Sequence, residues 1–182
     1  MRPAGMRVIG LAGWSGAGKT TLLARLIPAL VDRGLRVSTL KHAHHAFEID
    51  LPGKDSLVHR EAGASEVIIS SGRRSAQIRE LRGEAEPTLA DLLRRLAPCD
   101  LVLVEGFKRQ AHPKLEVFRE ANGRPPLHPD DPRIVAVASD RAFPDAVIPV
   151  VTLDDVPALS DIVLSRSEPI DDVLRRLDGA AQ

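Results

Sequence analysis

Residues 13–20, GWSGAGKT, carry the spacing G-x-x-x-x-G-K-[ST], in which a glycine-rich turn holds the phosphates of a nucleotide. Glycines allow backbone N–H groups to converge on phosphate oxygens because no Cβ stands in the way. We expect Lys19 to reach the β- and γ-phosphates and Thr20 to hold Mg²⁺ through its hydroxyl. The segment therefore predicts a phosphate loop made of Gly13, Trp14, Ser15, Gly16, Ala17, Gly18, Lys19, Thr20 and Thr21.

A site of this kind also needs a carboxylate near the metal, at the carboxyl end of a neighbouring strand. Residues 101–105, LVLVE, supply Glu105 directly after four apolar residues. Aspartate is the usual residue at such a position, and the longer glutamate could bind Mg²⁺ through a water molecule. We predict Glu105 as a metal ligand and catalytic residue, and the alternative is a surface glutamate that ends a strand.

A histidine-rich segment, KHAHHAFEIDLPGKDS (41–56), follows the second predicted strand. Its first residues should face the same crevice as the phosphate loop, so we predict Lys41 and His42 as nucleotide contacts. Asp50 is a candidate to bind Mg²⁺ or to orient a catalytic water. Structural zinc is an alternative use of the histidines, but the sequence offers no second cluster that would complete a tetrahedral site.

The elements that position these residues are short apolar runs alternating with helical patterns. Strands are predicted over 7–12, 35–40, 66–70, 101–105, 133–138 and 147–151, and helices over 19–34, 54–64, 88–97, 154–166 and 168–179. This alternation predicts an α/β fold of the P-loop NTPase type, a doubly wound, mainly parallel sheet with helices on both faces. Residues 75–81 and 114–120 are predicted as extra antiparallel strands at an edge.

Composition narrows the class of protein. The chain has 182 residues, of which 43% are apolar and 27% charged, as in soluble globular proteins. A formal net charge of zero and 3% aromatic residues argue against nucleic-acid or membrane partners. The single cysteine, Cys99, fits a reducing compartment. We expect one cytoplasmic nucleotide-binding domain over residues 1–182, with residues 1–6 flexible and 178–182 frayed.

Several segments together resemble the molybdopterin-guanine dinucleotide biosynthesis protein B family, MobB. They are GWSGAGKTTLLARLIPAL, GLRVSTLKHAHHAFEIDLPGKDS, HREAGASEVIIS and DLVLVEGFKRQAHPKLEVFR, and the resemblance runs from about Met6 to Arg166. The phosphate loop alone is unspecific. Its combination with KHAHH after the second strand, and with LVEGFK in place of a normal Walker B strand, makes the resemblance specific.

The resemblance implies a homodimeric, GTP-binding adaptor that assists the guanylyltransferase MobA, which attaches GMP to molybdopterin. It implies Gly13 to Thr21 as the nucleotide loop and Glu105 as the Walker B carboxylate. Molybdopterin and client molybdoenzymes are further partners that it suggests, and the extra strands are candidates for the dimer contact. The resemblance implies an adaptor with at most slow GTP hydrolysis, and we do not expect the chain to be the guanylyltransferase itself.

Base selection and hydrolysis have weaker signals. The Asn/Thr-Lys-x-Asp motif of guanine readers is absent from the sequence, and Asp140, at the end of VAVASD (135–140), is the predicted substitute. An ordinary turn after the strand is the alternative. Arg73 and Arg74 are candidates to compensate charge on the γ-phosphate, with solvated loop arginines as the alternative.

Two other functions use the same residues. A small-molecule kinase would need a base near the acceptor hydroxyl, such as Asp50 or His42, and an arginine-bearing lid, such as residues 71–84. A metal-handling chaperone would use the histidines. Slow phosphate release without a phosphorylated product would favour the adaptor, rapid transfer to a metabolite the kinase, and stoichiometric bound metal the chaperone.

Overall fold

The computed structural model describes residues 5–43, 47–50 and 52–180, which divide into two compact units. The larger unit runs to His42 and resumes at Leu89, and the smaller unit comprises Ala43–Thr88. The expectation of a single domain over the whole chain stays a prediction. Residues 1–4 and 181–182, which belong to the termini expected to be flexible or frayed, lie outside the described residues.

The larger unit is built on a seven-stranded sheet. Its strands are β1 (Arg7–Ala12), β2 (Val37–Lys41), β5 (Leu101–Glu105), β6 (Lys114–Phe118), β7 (Ile134–Ser139), β8 (Val150–Thr152) and β9 (Glu168–Pro169), while β3 and β4 belong to the smaller unit. Six of the seven run parallel in the order β2-β5-β1-β6-β7-β8, and β9 pairs antiparallel with the start of β1. The predicted mainly parallel sheet is confirmed.

Four helices cover the two faces of this sheet. They are α1 (Lys19–Asp32), α3 (Leu89–Arg95), α4 (Val156–Arg166) and α5 (Ile170–Gly179). Successive side chains of a strand point to opposite faces, so Ile9 packs in the core with α1 and α4, and Val8 packs with α3 and α5. Leu26 and Leu30 of α1 are fully buried in the first core, and each contributes about 2 kcal/mol by burial.

The smaller unit contains α2 (Asp55–Glu61) and a hairpin of β3 (Glu66–Ser70) and β4 (Ser75–Arg79). The two strands form their own antiparallel sheet. The Arg60 guanidinium joins the unit together, since it bonds Glu48, Asp50 and Glu80 at 2.6, 2.9 and 2.7 Å. These three ion pairs link the segment before α2 to the residue that follows β4.

The structure agrees with the predicted strands in position but not always in direction or sheet. The expected antiparallel strand over 75–81 is confirmed as β4, but the same expectation for 114–120 is wrong, because β6 lies parallel between β1 and β7. The strand predicted over 66–70 is present as β3, in the hairpin and outside the parallel sheet.

Among the described residues, no helix has the length and apolar character needed to cross a membrane.

Candidate nucleotide-binding site

The phosphate loop connects the end of β1 to the start of α1. Gly16 and Gly18 have φ angles of +80° and +93°, which favour glycine. Gly13 has a second constraint, because a Cβ at this position would lie 2.5 Å from the carbonyl oxygen of Val117 in β6. Glycine is therefore required at positions 16 and 18 by the backbone conformation, and at position 13 by the close approach of β6.

Lys19 folds back over the loop. Its ammonium donates hydrogen bonds to the carbonyl oxygens of Gly13 and Trp14 at 2.8 and 3.0 Å. Burial lowers the pKa of Lys19 from its usual value, and the charges of Lys108 and Lys41 act in the same direction while Glu105 opposes them. A bound polyphosphate would bring negative charge close to the ammonium groups of Lys19, Lys41 and Lys108 and so favour the charged form of Lys19.

Glu105 lies beside the loop at the carboxyl end of β5, between Lys41 of β2 and Leu11 of β1 in register. Its Oε1 accepts a hydrogen bond from Thr20 Oγ1 at 3.1 Å, and its Oε2 lies 3.8 Å from Lys41 Nζ. The side chain is only 13% exposed. The threonine hydroxyl and the carboxylate are hard oxygen donors of the type that Mg²⁺ prefers, so this donor set fits the predicted metal.

The turn after Glu105 is shaped by Gly106 and Phe107, whose φ angles are +95° and +50°. A Cβ on Gly106 would lie 2.7 Å from the Cβ of His42, so only glycine permits this approach. His42 N donates to the Glu105 carbonyl at 2.9 Å, and the centre of its ring lies 4.7 Å from that of Phe107, with the two rings tilted by 35°. His42 therefore helps to position Glu105, and its predicted contact with the nucleotide stays a prediction.

Segment 119–125, which follows β6, contacts the phosphate loop from a direction that the sequence did not reveal. A Cβ on Gly18 would lie 3.1 Å from Nε of Arg119. Asn122 Nδ2 donates to the carbonyl of Ser15 at 3.3 Å. Because β6 runs parallel to β1, the residues after β6 lie at the same end of the strands as the phosphate loop. The prediction of an antiparallel strand over 114–120 places them at the opposite end, so it does not reveal this contact.

The same segment holds the Trp14 indole. Trp14 Nε1 donates to the carbonyl oxygen of Pro125 at 2.9 Å. The ammonium of Lys108 and the guanidinium of Arg124 lie 4.7 and 5.5 Å from the centre of the Trp14 ring, distances that allow cation–π attraction. The second residue of the phosphate loop is thereby fixed from outside the loop.

Asp140 follows β7, also at the edge where the phosphate loop lies. Its Oδ1 accepts a hydrogen bond from the backbone N–H of Glu120 at 2.9 Å, which ties it to the segment after β6. Asp140 borders a cavity of about 360 Å³ that Ser139, Phe143 and Thr152 also line. A polar carboxylate beside an apolar ring is a suitable environment for a heteroaromatic base.

The remaining predicted residues lie in the smaller unit. Asp50 accepts hydrogen bonds from Ser56 Oγ and Arg60 Nη1, both at 2.9 Å, and its predicted metal and catalytic roles stay predictions. The backbone N–H groups of Arg73 and Arg74 point to Ser71 Oγ in the hairpin turn. The strand before this turn, β3, lies in the hairpin sheet and not in the parallel sheet, and the predicted role of the two arginines stays a prediction.

The metal alternative gains no support from the described part of the chain, in which no group of three or more His, Cys, Asp or Glu side chains could hold a metal ion. Two of the histidines named for zinc, His44 and His45, lie outside the described residues.

Comparison with known proteins gives a consistent result. The family model for molybdopterin guanine dinucleotide synthesis protein B matches residues 8–140. The molybdopterin-guanine dinucleotide biosynthesis adapter protein of Escherichia coli K12 is 42% identical, covering 86% of this chain and 91% of its own length. The protein of the same name from Haemophilus influenzae is 38% identical and covers 86% of each chain. A crystal structure of molybdopterin-guanine biosynthesis protein B superposes with a TM-score of 0.66 at 29% identity, over 87% of this chain and 98% of that one.

Proposed function

The chain belongs to the molybdopterin guanine dinucleotide synthesis protein B family, and from this premise we propose that it is a GTP-binding adaptor in molybdenum cofactor biosynthesis. In this role it assists the guanylyltransferase MobA, which joins GMP to molybdopterin, and it contacts molybdopterin and client molybdoenzymes in the cytoplasm. The convergence of Lys19, Thr20 and Glu105 at one end of the sheet is the observation that carries the nucleotide-binding part of the proposal.

The phosphates of GTP bind to the backbone N–H groups of the phosphate loop and to the ammonium of Lys19. To do so Lys19 exchanges its two carbonyl partners for phosphate oxygens, which is favourable because charged partners make stronger hydrogen bonds. Thr20 and Glu105 would hold Mg²⁺, which neutralises part of the phosphate charge when bound. Lys41 offsets the negative charge of Glu105 and contributes to the positive field of the site.

Guanine occupies the cavity beside Asp140. The carboxylate uses one oxygen on the Glu120 N–H and is exposed, so its second oxygen is available to accept from the base edge. Phe143 offers an apolar ring against which a base can pack. This arrangement supports guanine selection by Asp140 without the usual motif.

Hydrolysis is slow in this proposal, because it requires an oriented water and compensation of charge on the γ-phosphate. The candidate that could orient water, Asp50, is engaged by Arg60 and Ser56 and is 7% exposed. An adaptor function needs the triphosphate to be bound and does not need it to be consumed quickly.

We also propose that the chain is a homodimer and that the smaller unit forms its contact. Among the described residues of this unit, five large apolar side chains are exposed, by 70% for Phe47 and 67% for Ile68, with Ile49, Val58 and Ile69 completing the set. A two-stranded sheet also leaves strand edges whose backbone groups can pair with another chain. A second copy presents the same apolar residues and edges, which suits a self-complementary interface.

The experiment that tests the adaptor proposal is association with the guanylyltransferase, measured by pull-down with and without GTP. Wild type and Lys19→Ala are compared, and calorimetry with GTP and ATP in the presence of Mg²⁺ measures binding directly. We expect wild type to bind GTP and Lys19→Ala to lose it, with a parallel loss of association or of cofactor yield. Equal association and yield under all four conditions would contradict a nucleotide-dependent adaptor.

A further inference from the structure

We propose that Arg119 contacts the phosphates of the bound nucleotide from within the same chain. The sequence predicts Arg73 and Arg74 for such a role, and both lie in the hairpin turn of the smaller unit. Arg119 lies in the larger unit, against the phosphate loop itself. The assignment rests on the proposed binding of GTP and adds a cationic residue to that site.

The position of Arg119 follows from the sheet. Strand β6 runs parallel to β1 and ends at Phe118, so the next residue emerges at the edge where the phosphate loop begins. Nε and Nη2 of Arg119 lie 3.1 and 3.5 Å from the point that a Cβ of Gly18 would occupy. Gly18 immediately precedes Lys19, which is expected to reach the β- and γ-phosphates.

The charge of Arg119 is not matched by the surrounding protein. The side chain is half-buried, and among the described residues no carboxylate forms an ion pair with it. The arginine that follows β7, Arg141, shows the contrast, since it pairs with Glu120 at 3.2 Å. A half-buried guanidinium without a carboxylate, beside a loop built for anions, is suited to a phosphate, whose geometry matches its fork of donors.

The backbone around Arg119 is fixed before any ligand binds. Its carbonyl accepts from Asn122 N at 3.1 Å, and the side chain of Asn122 in turn donates to Ser15 in the loop. The main chain at Arg119 is therefore already placed beside the loop, and little backbone freedom is lost on binding.

The test compares Arg119→Ala and Arg119→Lys with wild type in competition against a fluorescent GTP analogue. The competitors are GTP and inorganic tripolyphosphate, which carries neither base nor ribose. Arg133→Ala is the matched control, because Arg133 is also half-buried, forms no ion pair among the described residues and precedes β7 at the opposite edge of the sheet.

We expect Arg119→Ala to weaken GTP and tripolyphosphate alike, by about tenfold to a hundredfold, the loss typical of one charged hydrogen bond. Arg119→Lys should recover part of the affinity, and Arg133→Ala should stay within about twofold of wild type. The affinity of wild type should also fall more steeply with NaCl than that of Arg119→Ala, because a charge pair is screened. Thermal unfolding without nucleotide checks that each variant is folded.

Two results would overturn the assignment. One is an affinity of Arg119→Ala within about twofold of wild type, and the other is a loss for GTP without a loss for tripolyphosphate, which would place Arg119 at the base or ribose. Lys19→Ala separates these failures from failure of the proposed function. If wild type binds GTP and Lys19→Ala does not, the nucleotide site stands whatever Arg119 does; if wild type binds neither ligand, GTP binding itself is wrong.

Discussion

Thr20 Oγ1 and Glu105 Oε1 are joined by a hydrogen bond of 3.1 Å, which links the first turn of α1 to the carboxyl end of β5. Together they would provide Mg²⁺ with one hydroxyl ligand and one carboxylate ligand. Glu105 is only 13% exposed and is also approached by Lys41, so its orientation is set by the protein before a metal arrives. This pairing allows the role of the unusual glutamate to be tested directly.

The first prediction concerns Glu105→Gln, which keeps the shape of the side chain and removes its charge. We expect the Mg²⁺-dependent part of GTP affinity to fall by about tenfold, the loss of roughly one charged interaction. Calorimetry with and without EDTA measures that part. Glu61→Gln, a change on the exposed surface of α2, is the control. A variant with an unaltered response to EDTA would remove Glu105 from the metal site.

The second prediction concerns Asp140→Asn. The amide oxygen can still accept from Glu120 N–H, so the local structure should be retained, but the guanine edge loses a carboxylate partner. We expect the preference for GTP over ATP to decline by about tenfold, measured as a ratio of dissociation constants. Asp145→Asn, in the following loop, is the control. An unchanged ratio would mean that Asp140 does not read the base.

The third prediction concerns His112, whose imidazole is fully buried and has no hydrogen-bond partner for either nitrogen among the described residues. Burial, aided by the charge of nearby Lys114, lowers the pKa of His112 from its ordinary value of 6.5 to about 3. Because the folded pKa is depressed, the unfolded chain takes up the proton first, so stability present above pH 6.5 is lost as the pH falls toward 3. Between pH 7 and 5 the loss from this group is about 2 kcal/mol.

Urea denaturation at these two pH values measures that loss. We expect His112→Leu to lose about 2 kcal/mol less unfolding free energy than wild type between pH 7 and pH 5. At pH 7 the variant should be no less stable than wild type, because it replaces two unpartnered polar atoms with apolar ones. The exposed His59→Leu should keep the wild-type dependence. If wild type and His112→Leu lose equal stability between pH 7 and 5, the buried imidazole is not the cause.

The fourth prediction concerns the proposed dimer. Ile68→Asp places a charge on an apolar side chain that is 67% exposed in the smaller unit. We expect light scattering at micromolar concentration to report half the mass of wild type, because burying an unpaired charge at an interface is unfavourable. Val147→Asp, at a fully exposed apolar residue of the larger unit, is the control. A monomeric wild type, or an Ile68→Asp variant that stays dimeric, would argue against this interface.

The phosphate loop and Glu105 could be located from the sequence because each depends on local order. A strand, a glycine turn and a helix follow one another directly, and Glu105 ends an uninterrupted apolar run. The parallel sheet followed from the same alternation. Contacts between residues distant in sequence could not be predicted in this way. Arg119 and Asn122 reach the phosphate loop only because β6 lies next to β1 in the sheet.

The error in β6 has a physical origin. Lys114 and Glu116 alternate with apolar residues, the pattern of a strand with one face in water, yet both are buried. Lys114 Nζ pairs with Asp131 at 2.8 Å, and Glu116 accepts from the backbone N–H groups of Leu127 and His128. Charge that is satisfied by a loop distant in sequence cannot be distinguished from exposed charge by spacing alone.

The contact between Gly13 and the Val117 carbonyl bears on how this site can be redesigned. With no side chain between the two backbones, there is no atom whose size could be varied to widen or narrow the phosphate-holding turn. The cavity beside Asp140, by contrast, is lined by side chains that can be exchanged individually. On the proposed binding mode, substitutions should therefore alter the preference for the base more readily than they alter the turn that holds the phosphates.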